Sequence, residues 1–172
     1  MSNCCAIIGC SPMCFPWGFD EEDEGCAALK LMLLNRITKL RSEGCARFTV
    51  SMDCGVGLYA AEILAGLREM DGEIEVICFI PYEEQATKWT SELRDRYFNA
   101  LAVCADVVYA AHEKAVGCEF KVHLQAIAEA DTVIAVYDPD DPLSEREIAA
   151  VAAAELLNKQ IISLDPKAIQ IS

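Results

Sequence analysis

The residues of this chain best placed to do chemistry lie along Ser51-Met52-Asp53-Cys54-Gly55-Val56-Gly57-Leu58. A short apolar run with strand character, Phe48 to Val50, leads in. Ala60, Ile63, Leu64 and Leu67, one face of a helix, lead out. A strand that turns through glycines into a helix leaves free backbone N–H groups at the helix N-terminus, and these favour anions. Three more loops follow apolar runs in the same way: Gly9–Cys14, Pro81–Gln85 and Asp138–Ser144. In an open parallel sheet, ligands sit outside the carboxyl ends of the strands, where such loops gather. The candidate ligand-binding residues are therefore Gly9, Ser11, Ser51, Met52, Gly55, Gly57, Tyr82, Gln85, Asp138 and Ser144. Among them Tyr82 and Gln85 have the side chains to contact a base or ribose.

The elements that must position these loops alternate between strand and helix. Cys4 to Ile8 reads as a first buried strand, and two prolines and a glycine mark the loop to Gly18. Asp20 to Glu24 places acids at a helix start, which suits the helix dipole. Leu29, Leu33, Ile37 and Leu40 continue that helix to a stop near Gly44. Further strands are expected at Arg47–Ser51, Glu73–Ile80, Asp106–Tyr109, Thr132–Tyr137 and Gln160–Leu164. Helices are expected over Leu58–Met70, around Trp89, Leu93 and Tyr97, and over Glu119–Ala130. Ser144-Glu145-Arg146-Glu147 reads as a capping box opening a last, alanine-rich helix, with Glu147 reaching back to the cap. The alternation predicts an α/β fold: one Rossmann-like, three-layer domain over residues 1–172 with a mostly parallel sheet.

Composition narrows the function classes. A formal net charge of −14 with scattered Lys and Arg argues against nucleic acid as a partner. No apolar run reaches the roughly 20 residues of a membrane span. The stretch Met-Ser-Asn-Cys-Cys has neither a basic n-region nor a signal-peptide cleavage pattern, and a cytoplasmic protein is expected. The ten cysteines fall mostly in apolar runs, as Cys78 and Cys104 do, and read as small core residues. Cys4, Cys5, Cys10 and Cys14 lack a recognised zinc spacing, so no metal is expected. His112 and His123, with no carboxylate partner evident in sequence, read as solvated or locally hydrogen-bonded. Trp89 and Tyr97 read as core. Ala149, Ala150, Ala152, Ala153 and Ala154 offer a small-residue face that suits a homodimer or packing on the chain's own sheet.

Several segments together resemble the YoqJ/YpsA-like branch of the SLOG superfamily. They are Ile8-Gly9-Cys10-Ser11-Pro12, Ser51 to Glu62, Ile80-Pro81-Tyr82-Glu83-Glu84-Gln85 with Trp89, Arg96-Tyr97, Ala105-Asp106 and Ile134 to Asp138. The resemblance spans nearly the whole chain in order. It implies a Rossmann-like fold and a nucleotide or ADP-ribose-like ligand at the glycine turns; the superfamily includes cytokinin-activating phosphoribohydrolases and a DNA-processing protein of transformation. The chain departs from the family at several points. Gly-His-Arg-Pro has become Gly9-Cys10-Ser11-Pro12, which loses a bidentate anion ligand. Gly-Met-Ala-x-Gly-x-Asp has become Ser51 to Gly57, with Asp53 beside the anion seat. The hydrolase motif Pro-Gly-Gly-x-Gly-Thr-x-x-Glu aligns with Pro139 to Glu147. Ser144 then stands at the threonine and Glu147 at the catalytic glutamate, but every glycine is gone. The resulting expectation is a domain that binds a small nucleotide-derived or other anionic ligand, with catalysis lost. The alternatives are a phosphoribohydrolase-like enzyme using Glu147, or a dimeric interaction module with a vestigial site. Replacing Asp53 with alanine and Ser51 with glycine restores the family pattern at both positions. That double change is expected to strengthen nucleotide binding at least about tenfold, ~1.4 kcal/mol, without disturbing the fold.

Overall fold

A computed structural model describes residues 3–169. Six strands form one all-parallel sheet: β1 (Asn3–Gly9), β2 (Cys45–Ser51), β3 (Glu75–Ile80), β4 (Asp106–Tyr109), β5 (Thr132–Val136) and β6 (Gln160–Leu164). Their order across the sheet is β4-β3-β2-β1-β5-β6, so the chain reverses direction of travel at β1. Five helices connect them: α1 (Glu24–Ser42), α2 (Val56–Met70), α3 (Ser91–Ala102), α4 (Cys118–Ala128) and α5 (Glu145–Leu156). The expected α/β class and parallel sheet are what the molecule has. Boundaries differ slightly. Trp89 precedes the Thr90 cap of α3 rather than lying in the helix, yet its ring meets Tyr97 edge-on at 5.1 Å.

Both faces of the sheet are covered, so its strands are apolar almost throughout. Cys5 and Ile7, Phe48 and Val50, and Val76 and Cys78 face a core shared with α1, α2 and α3. Cys4, Ala6 and Ile8, with Ile77 and Phe79, face α4 and α5. Cys4 and Cys5 therefore point to opposite sides of the sheet, which keeps the four N-terminal cysteines from converging. Burial raises the thiol pKa of Cys4 to about 11 and pushes Cys5 and Cys10 higher still. These thiols behave as apolar volume. In α5, Ala150 and Ala154 are fully buried against the sheet, while Ala149 and Ala152 are exposed.

Two devices bring the carboxyl-edge loops close together. Gly9 ends β1 where α2 crosses it, and a Cβ there would fall 2.4 Å from the Cβ of Val56. A Cβ on Gly57 would fall 2.5 Å from the carbonyl oxygen of Ser51. Both glycines thus allow α2 to start hard against the strand ends. Elsewhere, Arg96 of α3 ties three segments together. It is bidentate to Glu21 at 2.7 and 2.9 Å, and it reaches Glu62 of α2 at 2.6 and 3.1 Å. These side chains are 22–38% exposed, between the surface and buried limits for ion pairs. Arg96→Leu is therefore expected to lower unfolding free energy by about 1–2 kcal/mol in urea titrations, less at high salt.

Candidate functional site

Thr49 and Ser51 are the two buried polar side chains on the face of β2 that meets α4, where the more exposed Arg47 reaches Glu129 at the end of that helix. Thr49 uses its hydroxyl structurally, donating to the carbonyl of Ala126 at 2.7 Å. Ser51, the last residue of the strand, instead meets an imidazole: its Oγ lies 2.6 Å from Nδ1 of His123. His123 lies on the buried face of α4 with Val122, Ala126 and Ile127. Its Nε2 lies 2.6 Å from Oε2 of Glu147, which lies on the buried face of α5 with Ala150, Val151 and Ala154. Relative exposures are 2% for Ser51, 5% for His123 and 0% for Glu147. One proton arrangement satisfies both bonds with a neutral ring: the serine hydroxyl donates to Nδ1, and Nε2–H donates to the carboxylate. The other carboxylate oxygen, Oε1 of Glu147, is buried with no partner among the described residues.

Ser51 and His123 line the floor of a cavity of about 170 Å³, and Glu147 lies behind His123, outside the lining. Gly9, Ser11, Ser51, Met52, Tyr82 and Gln85 all line it, as do Asp53, Cys54, Glu119 and Arg146. Three of the four predicted loops thus meet at one place. Arg146 stands beside the floor, 4.0 Å from Oε2 of Glu147 and 3.7 Å from Glu119. A larger cavity of about 900 Å³ adjoins, sharing Cys54 and Trp89 as walls and bordered by Phe19, Lys30, Glu62 and Arg96.

The glycine turn differs from its expected role. Oδ1 of Asp53 accepts from the N–H of Gly55 at 2.8 Å and of Gly57 at 2.9 Å. The chain's own carboxylate therefore occupies the seat read from sequence as open to a ligand anion. Burial raises the Asp53 pKa to about 6, against the lowering effect of those two N–H donors. Gly55 itself packs on Pro12, 3.0 Å from a Cβ placed on it. The paired change Asp53→Ala with Ser51→Gly would thus strip the start of α2 of its acceptor and His123 of its hydroxyl partner. Such a variant would not leave the fold undisturbed.

The fourth loop is turned inward. The N–H of Asp138 donates to Oγ of Ser144 at 3.2 Å, and Ser144 is buried near Sγ of Cys14 at 3.7 Å. Lys167, at 2.9 Å, holds the Asp138 carboxyl below the usual range despite the opposing effect of burial. Neither residue lines the cavity. The expected capping box does not form: Ser144 makes no side-chain cap bond, and Glu147 turns inward to His123. His112 lies exposed in the loop after β4, its Nδ1 2.6 Å from Oε2 of Glu83, a carboxylate partner 29 residues away that sequence did not show. His123, expected to be solvated or locally hydrogen-bonded, is instead buried and bonded to Ser51 and Glu147, 72 and 24 residues away in sequence. The signal that could have found it was its position four residues before Ile127, on the apolar face of α4.

A parallel sheet that reverses at β1, with loops gathered at its carboxyl edge, defines a Rossmann-like α/β protein. The chain belongs to the YpsA (YspA) SLOG family, whose profile matches residues 5–167. It is similar to the UPF0398 protein YpsA of Bacillus subtilis, 28% identical over 152 residues, which cover 86% of this chain and 82% of that protein. It is likewise similar to a UPF0398 protein of Halalkalibacterium halodurans, 26% identical over 137 residues, covering 78% and 72% respectively. Among the described residues, no helix is long and apolar enough to cross a membrane.

Proposed function

We propose that this chain binds a small nucleotide-derived ligand at the carboxyl edge of its sheet and has lost phosphoribohydrolase catalysis. The observation that carries this reading is the convergence of the β1, β2 and β3 loops on one polar-floored cavity that adjoins a larger one across Trp89. The smaller space holds only a few heavy atoms, so a nucleoside-sized ligand would extend past Trp89 into the larger. Charge favours the uncharged end of such a ligand. The turn's anion seat is filled by Asp53, and Arg96 is engaged by Glu21 and Glu62. Adenosine is therefore expected to bind at least about as well as ADP-ribose or AMP by isothermal titration. Tyr82→Ala is expected to weaken adenosine or ADP-ribose binding by about tenfold, ~1.4 kcal/mol. No heat with any of these ligands or NAD at millimolar concentration would remove the reading.

A homodimer is the second reading, and one surface favours it. Ile148, Ala149, Ala152 and Leu156 form an exposed stripe along α5, with Leu156 at 85% exposure. Light scattering is expected to report a dimer that Leu156→Glu converts to monomer. A wild-type monomer at high micromolar concentration would overturn this reading.

A further inference from the structure

We propose that Ser51 is a nucleophilic serine, activated through His123 and held in place by Glu147, and that it accepts a short acyl group from an ester. The three side chains come from three separate elements: the end of β2, the middle of α4 and the first turn of α5. They meet in one line, Ser51 Oγ to Nδ1 at 2.6 Å and Nε2 to Glu147 Oε2 at 2.6 Å. That is the arrangement in which an imidazole removes a hydroxyl proton while a carboxylate fixes its tautomer. The ring is used in the opposite sense to the serine proteases, with Nδ1 rather than Nε2 toward the serine.

Two observations distinguish this line from a simple tie between strand and helix. Thr49, two residues earlier on the same face, already makes that tie through a backbone carbonyl. Oε1 of Glu147 is buried and unpartnered, a cost that a purely structural network would avoid by using a neutral acceptor. Ser51 also opens on the cavity, whose one Lys or Arg among the described residues is Arg146. A developing oxyanion there would meet that guanidinium. The cavity volume, about 170 Å³, restricts the acyl group to a few carbon atoms.

The reaction balances within these groups. Oγ of Ser51 bonds to the acyl carbon as its proton passes to Nδ1 of His123. The alkoxide leaves with the bonding electron pair and takes that proton. Water then adds to the acyl carbon, its proton again passing to Nδ1, and Ser51 leaves the acid product and recovers its proton. Ser51 and His123 are the catalytic residues, and Glu147 is a positioning residue.

This inference rests on the cavity assigned above, but it is tested without any nucleotide. The full-length protein is incubated with a small alkyl fluorophosphonate and analysed by intact mass and peptide mapping. In this reaction Oγ bonds to phosphorus, fluoride leaves, and the serine proton passes to His123. The expected result is one adduct per chain on Ser51, absent in Ser51→Ala. In Glu147→Gln the limiting rate of labelling falls by about 10²–10⁴, with the half-saturating probe concentration unchanged and the thermal midpoint not lowered. No adduct on Ser51 in the wild type, or labelling that Glu147→Gln leaves at the wild-type rate, would overturn the proposal and leave the line a structural network. Calorimetric binding of adenosine or ADP-ribose is unaffected by either outcome, so the two readings fail separately.

Discussion

His123→Ala is expected to lower the unfolding free energy by about 3–5 kcal/mol, a large share of the 5–15 kcal/mol typical of a folded domain. The reason lies in what the substitution leaves behind. Glu147 is fully buried, and among the described residues its Oε1 has no partner and Nε2 of His123 is the sole close donor to Oε2. Arg146 stands 4.0 Å away, too far for a hydrogen bond. Without the imidazole, the carboxylate would be stranded between α4 and α5, and Oγ of Ser51 would lose its hydrogen-bond partner at 2.6 Å. A cavity the size of the ring adds to the cost. Thermal unfolding is expected to shift by on the order of 10 °C. The attribution is checked by a second variant, His123→Leu with Glu147→Met, which removes the charge together with its partner. Apolar replacement of both members of a buried pair is often close to neutral. The double variant should therefore be more stable than His123→Ala. Were it equally unstable, lost packing rather than a stranded carboxylate would explain the cost.

Much of the fold was legible because its signals are local. Apolar runs at Cys4–Ile8, Ile74–Ile80 and Thr132–Val136 can only be strands covered on both faces. The alternation with helices then imposes a parallel sheet. The gathering of the β1, β2 and β3 loops followed from that topology. The floor of the site was not legible in the same way, because its bonds span 72 residues from Ser51 to His123 and 24 from His123 to Glu147. Glu147 shows how one local pattern can hide another. Its spacing after Ser144 fits a capping box, but it also falls in register with Ala150, Val151 and Ala154 on the buried face of α5. The second register prevails because His123 supplies a partner deep enough to hold the carboxylate there. From sequence, Asp53 is a negative charge beside an expected anion seat. What sequence could not show is that the side chain folds back to fill the seat itself.

That geometry makes Asp53 a second large and separable term. In the unfolded chain its pKa is near the ordinary 3.8, whereas in the fold burial raises it to about 6. The folded state therefore holds the proton more tightly. The resulting stabilisation is fully present below the unfolded value and is lost as pH rises through the folded one. The loss should fall between about pH 4 and pH 6. Two pKa units correspond to about 3 kcal/mol, which the partial exposure of Asp53 reduces to about 1–3 kcal/mol. Other carboxylates, including Glu21 and Asp71, have pKa values lowered by arginine partners and contribute with the opposite sign. The measurement is accordingly a difference between wild type and Asp53→Asn, each unfolded in urea across pH 4 to 7. Asparagine keeps a carbonyl oxygen for the N–H groups of Gly55 and Gly57 but carries no charge. The wild type is expected to lose stability relative to Asp53→Asn as pH rises, and the gap should level off above pH 6. A constant gap would mean that Asp53 titrates alike in both states. Asp53→Ala separates the cap from the charge, since it leaves both N–H groups without an acceptor. It should cost about 1–2 kcal/mol as a lost N-terminal cap, and added phosphate should recover part of that cost by occupying the vacated seat. If phosphate stabilises Asp53→Ala no more than it stabilises the wild type, the turn is a strand-to-helix connection that Asp53 closes, and no anion enters it.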